Sequence, residues 1–356
     1  KEYGDGRFIY HGALNPLIGI GGNDSGMYAY LIYRRAIEWA FEDANLPIVK
    51  LSPWRYEYDA GFTIRHDLEN TPGRINFIKS SAQAEYNAGA KGDYYPCTGT
   101  VRAGSEDTQM TEAQKLTAIA NMRDAVEDYG ATIGSHNGGL PNPTGTYDPN
   151  TYNYWHWGPD QAFNVTPTGY TSGWEYAYTS VLTSYLDIEG WLVGLDNGRV
   201  GCGAAGNCPR IWVSPAFNSG REGSFDIMAD LDVVSMGEQK LSPFQHWTLS
   251  TDTPEVRHPH VSLPVSDWYV GTVIAQSMEA GHTSATIHAL VDFYYDLGAL
   301  INLYSHSSSA SGLANDYLTY TMSKPRVWAT NAVGVYDWWT LRSPVVVTPS
   351  YSKVGD

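Results

Sequence analysis

The sequence predicts an α/β fold in which parallel strands alternate with helices. From about residue 48 onward, short apolar runs of strand composition alternate with stretches of helical periodicity. One helix has clear limits, because Thr111 and Gln114 form a capping box and Gly130 ends the periodic stretch. An apolar, β-branched strand follows at once, from Ala131 to His136. Alternation of this kind is typical of parallel strands joined by right-handed crossovers.

The N-terminal residues do not share this pattern. A Gly-rich segment leads into a predicted helix from about Met27 to Ala44, and Gly6–Tyr10 has the composition of a lone strand without a local partner. We therefore expect residues 1–47 to be an N-terminal segment, a candidate tail of an upstream domain, and residues 48–348 to form the main domain. At the far end, Ser343–Thr348 is predicted to be a closing strand.

Composition limits the class of protein. The chain has 356 residues, of which 42% are hydrophobic and only 17% charged, so it can bury a large core in one big domain. Its net charge of −16 repels nucleic-acid phosphates and anionic membrane surfaces, and no apolar run is long enough to cross a membrane. The 12 Trp and 26 Tyr residues supply aromatic faces suited to stacking on sugar rings.

Cysteines and glycosylation motifs favour a secreted protein. Cys202 and Cys208 flank a short flexible loop, and we expect them to form a local disulfide, whereas Cys97 lies in an apolar run and is predicted to be a buried thiol. Asn23 and Asn164 each begin an Asn-x-Ser/Thr triplet and are candidate glycan acceptors. The chain begins with Lys and shows no signal peptide, so we interpret it as a processed chain that is secreted or associated with a cell wall.

Titratable side chains stand where three separate apolar strands end. The strand Phe62–Glu69 ends in His66, Asp67 and Glu69, and two later strands end in His136 and His306. Because the carboxyl ends of parallel strands meet at one face of the sheet, we expect these groups to converge. A mixture of carboxylate and imidazole suits a divalent metal ion.

Four motifs, in this order, resemble the polysaccharide deacetylases of the NodB-homology type, which are carbohydrate esterases. They are Phe62–Glu69, Gly89–Pro96, Tyr129–His136 with its Gly-x-x-Ile-Gly-x-His pattern, and Ile301–His306. The resemblance covers roughly residues 48–342. It implies a distorted, incomplete (β/α)7-type barrel with parallel strands. It also implies a metal-dependent hydrolase, with zinc as the expected metal, that removes N-acetyl groups from an amino-sugar polysaccharide and releases acetate.

The resemblance assigns roles to the acidic motif and to the last histidine. It implies that Asp67 is the general base, that Glu69 is a metal ligand and that His306 is the acid that protonates the departing amine. The sequence leaves a second assignment open, with Asp67 on the metal and His66 nearby.

The histidine motif departs from the family pattern. His136 corresponds to the first metal-ligating histidine, but Leu140 stands where the family has a second one. His156, in a long aromatic loop, is the best substitute, and the alternative is a site completed by Asn137 or by water.

The arginine motif is altered as well. Ser214–Asn218 replaces the Arg-Pro-Pro-Tyr run that supplies an arginine to orient the base, and three other arginines could take its place: Arg65, Arg221 and Arg257. The sequence does not choose among them. Nearby aromatic residues are predicted to contact the sugar substrate: Trp155, Trp157 and Phe217. His258 and His260 are close enough in sequence to share a metal ion, but we expect them to lie in a surface loop.

Two rival functions follow from the same residues. A glycoside hydrolase on a related barrel would need a second carboxylate opposite Asp67, for which the sequence offers Asp160, Asp226 and Glu238. A carbohydrate-binding module with a decayed active site would account for both departures from the family motifs.

Overall fold

The fold is seen in a computed structural model of the chain. It describes residues 2–3, 6–7, 23–55, 57–69, 71–102, 110–140, 158–217, 219–238, 243–253, 255–271, 273–348, 350 and 352. No helix within these ranges is long and apolar enough to span a membrane.

The N-terminal segment forms a small hairpin and a long helix. Strand β1 (Glu2–Tyr3) pairs antiparallel with β2 (Gly6–Arg7), so the expectation of a lone strand without a local partner was wrong. Helix α1 (Asn23–Asp43) contacts the rest of the chain through Arg34, whose Nη1 donates to the carbonyl of Leu297 at 3.2 Å. The domain boundary at residue 47 stays a prediction.

The remaining chain alternates strands and helices. The strands are β3 (Ala60–Phe62), β4 (Ile64–Glu69), β5 (Gly92–Pro96), β6 (Thr132–Ile133), β7 (Arg210–Val213), β8 (Val233–Glu238), β9 (His246–Leu249), β10 (Arg257–Pro264), β11 (Trp268–Val270), β12 (Val273–Ala275), β13 (Leu300–Ile301), β14 (Tyr304–Ser305) and β15 (Val327–Ala329). The helices are α2 (Pro72–Ile75), α3 (Ile78–Asn87), α4 (Thr98–Val101), α5 (Glu112–Tyr129), α6 (Pro159–Ala162), α7 (Gly173–Trp191), α8 (Cys202–Ala205), α9 (Glu222–Asp230), α10 (Ser284–Asp296), α11 (Gly312–Met322) and α12 (Ala332–Arg342).

Parallel strands form a distorted barrel, as the sequence predicts. One parallel sheet has the order β14-β4-β5-β6, and β7-β8-β10 continues it through a parallel bridge between Ser135 and Trp212. The ring closes where the backbone N–H of Ser266 donates to the carbonyl of Asn302 at 2.8 Å. This seam lacks a continuous ladder, and β9 pairs antiparallel with β10 beside it. The barrel is therefore incomplete there.

Side chains of several strands fill the barrel interior. They are Tyr95 on β5, Ile211 and Val213 on β7, Val261 and Leu263 on β10, and Leu300 on β13. Gly134 lies where β6 approaches β7, and a Cβ there would stand 2.7 Å from the carbonyl oxygen of Ile211. Only glycine allows this approach, which brings the two halves of the sheet together.

Sequence patterns that concern a single structural element predicted the structure correctly. The capping box of Thr111 and Gln114 begins α5, and Gly130 ends it in a left-handed conformation with φ 66°. Cys202 and Cys208 form the expected disulfide, and Cys97 is a buried thiol, so both predictions are confirmed.

Two predictions of local structure were wrong. His258 and His260 lie on β10 and are buried, not in a surface loop, because this strand places polar side chains at its inward positions. Such a pattern does not show the apolar alternation that identifies a half-buried strand. Ser343–Thr348 forms no strand, and its three valines are exposed beyond the end of α12. Strand propensity without a neighbouring strand does not make a strand.

A hydrogen bond from α12 to the side chain of Asp93 on β5 holds these two elements together, and its contribution to stability can be tested. The buried carboxylate of Asp93 accepts a hydrogen bond from the backbone N–H of Ala332 at 2.8 Å. Burial raises the pKa of Asp93 to about 8 from its ordinary value near 3.8. Between these two pH values the carboxyl group keeps its proton in the folded protein and loses it in the unfolded chain. The free energy of unfolding should therefore fall as pH rises between these values, by up to about 1.4 kcal/mol per pH unit.

We predict that Asp93→Asn removes this slope, because asparagine cannot ionise. Denaturant unfolding between about pH 5 and 7.5 measures it, with Asp128→Asn, an exposed carboxylate on α5, as the matched control. An identical pH slope in the Asp93→Asn and Asp128→Asn proteins would contradict the assignment.

Candidate active site

The centre of the candidate site is a buried ion pair on β4. Arg65 and Asp67 are two residues apart, so both side chains leave the same face of the strand. Nε of Arg65 donates to Oδ1 of Asp67 at 2.6 Å and Nη2 donates to Oδ2 at 2.5 Å, which makes the pair bidentate. Both residues are 3% exposed. Although burial opposes the guanidinium charge, the Asp67 carboxylate raises the pKa of Arg65, so the arginine is charged.

Three aromatic rings enclose the arginine. The guanidinium carbon lies 5.9 Å from the ring centre of Tyr95, 5.4 Å from that of Phe217 and 5.1 Å from that of Tyr304. Phe217 follows β7 in a left-handed turn, with φ 55°. Contacts at these distances restrict the guanidinium and shield it from solvent.

The structure therefore identifies the arginine that the sequence left open. Arg65 orients Asp67 from the same strand. Arg221 instead donates to Asn164 at 3.2 Å, and Arg257 packs on Trp247 and donates to Ser343 at 2.8 Å. The altered third motif contributes an aromatic contact, Phe217, where the family pattern has an arginine.

The carboxylate of Glu69 lies close to both predicted histidines, His306 and His136. Glu69 is the last residue of β4 and has φ 56°, and the register of β4 against β5 shifts between Asp67 and Glu69. Its Oε1 lies 3.1 Å from Nε2 of His306 and 3.8 Å from Nε2 of His136. Three strand ends thus bring their titratable groups together, as the sequence predicts.

A backbone carbonyl fixes the orientation of His136. Nδ1 of the buried ring lies 3.0 Å from the carbonyl oxygen of Val213 and is the donor in that hydrogen bond, because a carbonyl can only accept. The other nitrogen, Nε2, faces Glu69. This arrangement is that of a metal-ligating histidine with its second nitrogen held by the protein.

His306 is held by a residue that the sequence did not identify. Nδ1 of His306 lies 3.4 Å from Oε2 of Glu279, while Oε1 of Glu279 accepts from the backbone N–H of His306 at 2.9 Å and from Ser305 and Ser307. Burial lowers the pKa of His306, but its hydrogen bonds to Glu279 and Glu69 outweigh that effect and raise the pKa to about 9. Burial opposes the charge of Glu279, yet hydrogen bonds from His306 and Ser307 lower its pKa to about 2.

His66 does not belong to the site, so the expectation that it converges with Asp67 was wrong. Strand alternation sends it to the opposite face of β4, where Nε2 lies 2.7 Å from Oε1 of Glu85 and the ring stacks on Tyr94 at 4.7 Å. Ser309 also contacts it, at 3.2 Å. The alternative with Asp67 on a metal beside His66 is therefore excluded.

The altered histidine motif packs into the core. Leu140 contacts the cluster that includes Tyr176 and Val181 of α7, and the backbone of Gly139 lies so close to α7 that a Cβ would stand 1.9 Å from the carbonyl of Ser180. Asn137 accepts a hydrogen bond from Nε1 of Trp212 at 2.7 Å. His156, Trp155 and Trp157 lie outside the described residues, so their predicted roles stay predictions.

Glu69 and His136 fit a divalent metal ion. A carboxylate oxygen and an imidazole nitrogen are donors that zinc takes in proteins, and here Oε1 of Glu69 and Nε2 of His136 face each other at 3.8 Å. Among the residues that the structure describes, we assign Glu69 and His136 as the metal ligands of this site.

Asp160 has a structural role. Its Oδ2 accepts from the backbone N–H of Gly220 at 2.8 Å and its Oδ1 accepts from the hydroxyl of Ser224 at 2.6 Å, which holds the start of α9. The predicted glycan acceptor Asn164 is exposed beside it. The side chain of Asn23 lies outside what the structure describes.

Comparison with known proteins finds the fold but no close relative. No protein-family model and no curated protein match the sequence. A solved structure described as "putative polysaccharide deacetylase" from Mycobacterium smegmatis is 11% identical, with a TM-score of 0.53 over 86% of this chain and 100% of that chain. A "probable Polysaccharide deacetylase" from Pseudomonas aeruginosa PAO1 is 9% identical, with a TM-score of 0.51 over 86% and 98%. Puue Allantoinase is also 9% identical, with a TM-score of 0.51 over 84% and 96%. The chain therefore has the NodB-type barrel fold that the resemblance implies.

The Arg65–Asp67 pair can be tested without any substrate. We predict that Arg65→Met lowers the free energy of unfolding by about 3–5 kcal/mol, because it leaves the Asp67 carboxylate buried and unpaired. Adding Asp67→Asn should recover part of that loss, since the unpaired charge is then gone. Arg221→Met, at an exposed arginine, is the control and should stay within about 0.5 kcal/mol of the wild type. Equal losses in the Arg65 and Arg221 variants, measured by denaturant unfolding, would refute the buried pair.

Proposed function

We propose that this chain, which has the fold of the polysaccharide deacetylases, is a metal-dependent deacetylase that removes N-acetyl groups from an amino-sugar polysaccharide and releases acetate. One observation carries the proposal. An oriented carboxylate, Asp67, and an oriented imidazole, His306, stand at the same barrel end, with the metal-ligand candidates Glu69 and His136 beside them. Amide hydrolysis needs a base and an acid in this arrangement.

Asp67 is the general base in this proposal. Each of its carboxylate oxygens accepts one hydrogen bond from Arg65 and keeps a lone pair, so the group can take a proton from the attacking water. The bidentate arginine keeps the carboxylate from turning when that proton arrives.

His306 is the acid. Glu279 fixes its ring through Nδ1, and Nε2, which lies 3.1 Å from Oε1 of Glu69, is the nitrogen that donates a proton to the departing amine. Asp67 takes one proton from water and His306 gives one to the amide nitrogen, so the products are the amine and acetic acid, which ionises to acetate in solution. A divalent ion held by Glu69 and His136 would polarise the acetyl carbonyl and lower the pKa of a bound water.

The proposed substrate class rests on aromatic surface and charge. Phe217 and Tyr304 lie next to the ion pair, and rings at such a site stack on the apolar faces of sugars. The net charge of −16 would attract a polymer that becomes cationic as its acetyl groups leave. A disulfide between Cys202 and Cys208 and the exposed Asn164 sequon support our placement of the protein outside the cell or in its wall.

The glycoside-hydrolase alternative would use Asp160, Asp226 or Glu238 opposite Asp67, and the two of these whose side chains the structure describes lie in other side-chain clusters. The carboxylate of Asp160 accepts three hydrogen bonds from residues at or just before the start of α9. Asp226 lies on α9 beside Glu222 and His258. The side chain of Glu238 lies outside the described residues.

Base and acid variants test the proposed roles. We predict that Asp67→Asn and His306→Gln each lower acetate release from a partly acetylated amino-sugar polymer by about 10²–10⁴-fold, because each removes one proton-transfer group. His288→Gln is the matched control, since His288 stacks on Tyr320 and takes no part in the site. Full activity in a folded Asp67→Asn protein would contradict the assignment.

Metal removal tests the other half of the proposal. Treatment with a chelator should abolish acetate release and added zinc should restore it, because Glu69 and His136 would hold the ion. The His136→Ala protein should show no restoration on adding zinc. Acetate release that persists after chelation would contradict metal dependence, while release of reducing ends without acetate would favour a glycoside hydrolase.

A further inference from the structure

A second group of metal-ligand side chains lies on α9 and β10. Glu222 and Asp226 are one turn apart on the helix, and His258 faces them from the strand. Each offers one ligand atom, and these atoms all lie within 4.8 Å of one another. The group shares no residue with the candidate active site, and His258 stands near the start of β10, whereas Glu69 and His306 stand at or beyond strand ends.

The imidazole of this group is buried and held in one orientation. His258 is 9% exposed, and its ring lies 5.5 Å from that of Phe225 and 5.4 Å from that of His260. Nε2 points at Oε1 of Glu222, at 2.8 Å. A buried imidazole directed at carboxylates from a different element is the arrangement that a metal site requires before the ion arrives.

The two carboxylates differ in their surroundings. Oε2 of Glu222 accepts from the backbone N–H and the hydroxyl of Thr251, at 2.6 and 2.9 Å, so the carboxylate is oriented from the β9–β10 hairpin. Asp226 receives a hydrogen bond from no residue in the described part of the chain. Its carboxylate oxygen lies within 4.8 Å of the ligand atoms of Glu222 and His258, so two carboxylates stand close to each other and repel. A cation would relieve that repulsion.

We propose that Glu222, Asp226 and His258 form a second divalent-cation site, separate from catalysis. One imidazole nitrogen with two carboxylate oxygens favours zinc and related first-row ions over calcium or magnesium, which prefer oxygen ligands alone. The bound ion joins α9 to the β9–β10 hairpin and stabilises the fold at that point. Binding replaces the hydrogen bond between His258 and Glu222, because the imidazole nitrogen must give up its proton to bind the ion.

Zinc alone is the probe for this site, in the full chain stripped of metal. In the His136→Ala protein, which lacks a ligand of the candidate active site, zinc should still bind and raise the melting temperature. Adding Asp226→Asn should weaken that affinity by about tenfold or more and reduce the zinc-dependent rise in melting temperature. Asp230→Asn, at the next exposed aspartate of α9, is the matched control and should change neither.

The measurement separates this site from the catalytic proposal. Should His136→Ala fail to fold, the same Asp226→Asn and Asp230→Asn pair is compared in the otherwise unchanged chain, where only Asp226→Asn should lower the number of zinc ions bound. Equal zinc binding in the two aspartate variants, or no zinc bound by His136→Ala while it is folded, overturns the second site. Neither result bears on whether the chain releases acetate.

Discussion

The ion pair between Arg65 and Asp67 is the constraint on which the site depends. Placing two charges in a nearly dry barrel interior carries a desolvation cost of several kcal/mol per ion, and only good geometry offsets it. Two short hydrogen bonds and three aromatic rings provide that geometry. Since both residues belong to one strand, the base and the group that orients it are fixed by the local backbone.

The same strand carries a second buried pair of hydrogen-bonding side chains on its other face. His66 and Glu85 lie at 0% exposure between β4 and the helices, with Tyr94 stacked on the imidazole. Moving β4 by one residue would exchange the two faces and leave the four side chains of these pairs without their partners. The two pairs therefore specify one register for β4, and this register delivers Glu69 to both histidines.

Local signals in the sequence predicted the fold well. The residues and strands that they did not predict depend on contacts between elements far apart in the chain. Strand ends at Asp67, His136 and His306 could be recognised because apolar runs stop there. Arg65 could have been chosen over the other arginines, because a residue two positions before Asp67 on the predicted strand shares its face, but we overlooked that alternation. Glu279 was missed since no apolar run leads to it; a parallel bridge between Ser277 and Tyr304 positions it instead. β10 was missed because its inward positions are polar.

The most direct test of the account is a crystal structure of the Asp67→Asn protein with an N-acetylated amino-sugar oligomer bound. We predict that the acetamide lies at this barrel end, with its nitrogen within about 3.5 Å of Nε2 of His306 and its carbonyl carbon next to residue 67. A glycosidic oxygen in that place, or an oligomer bound elsewhere on the chain, would contradict the account.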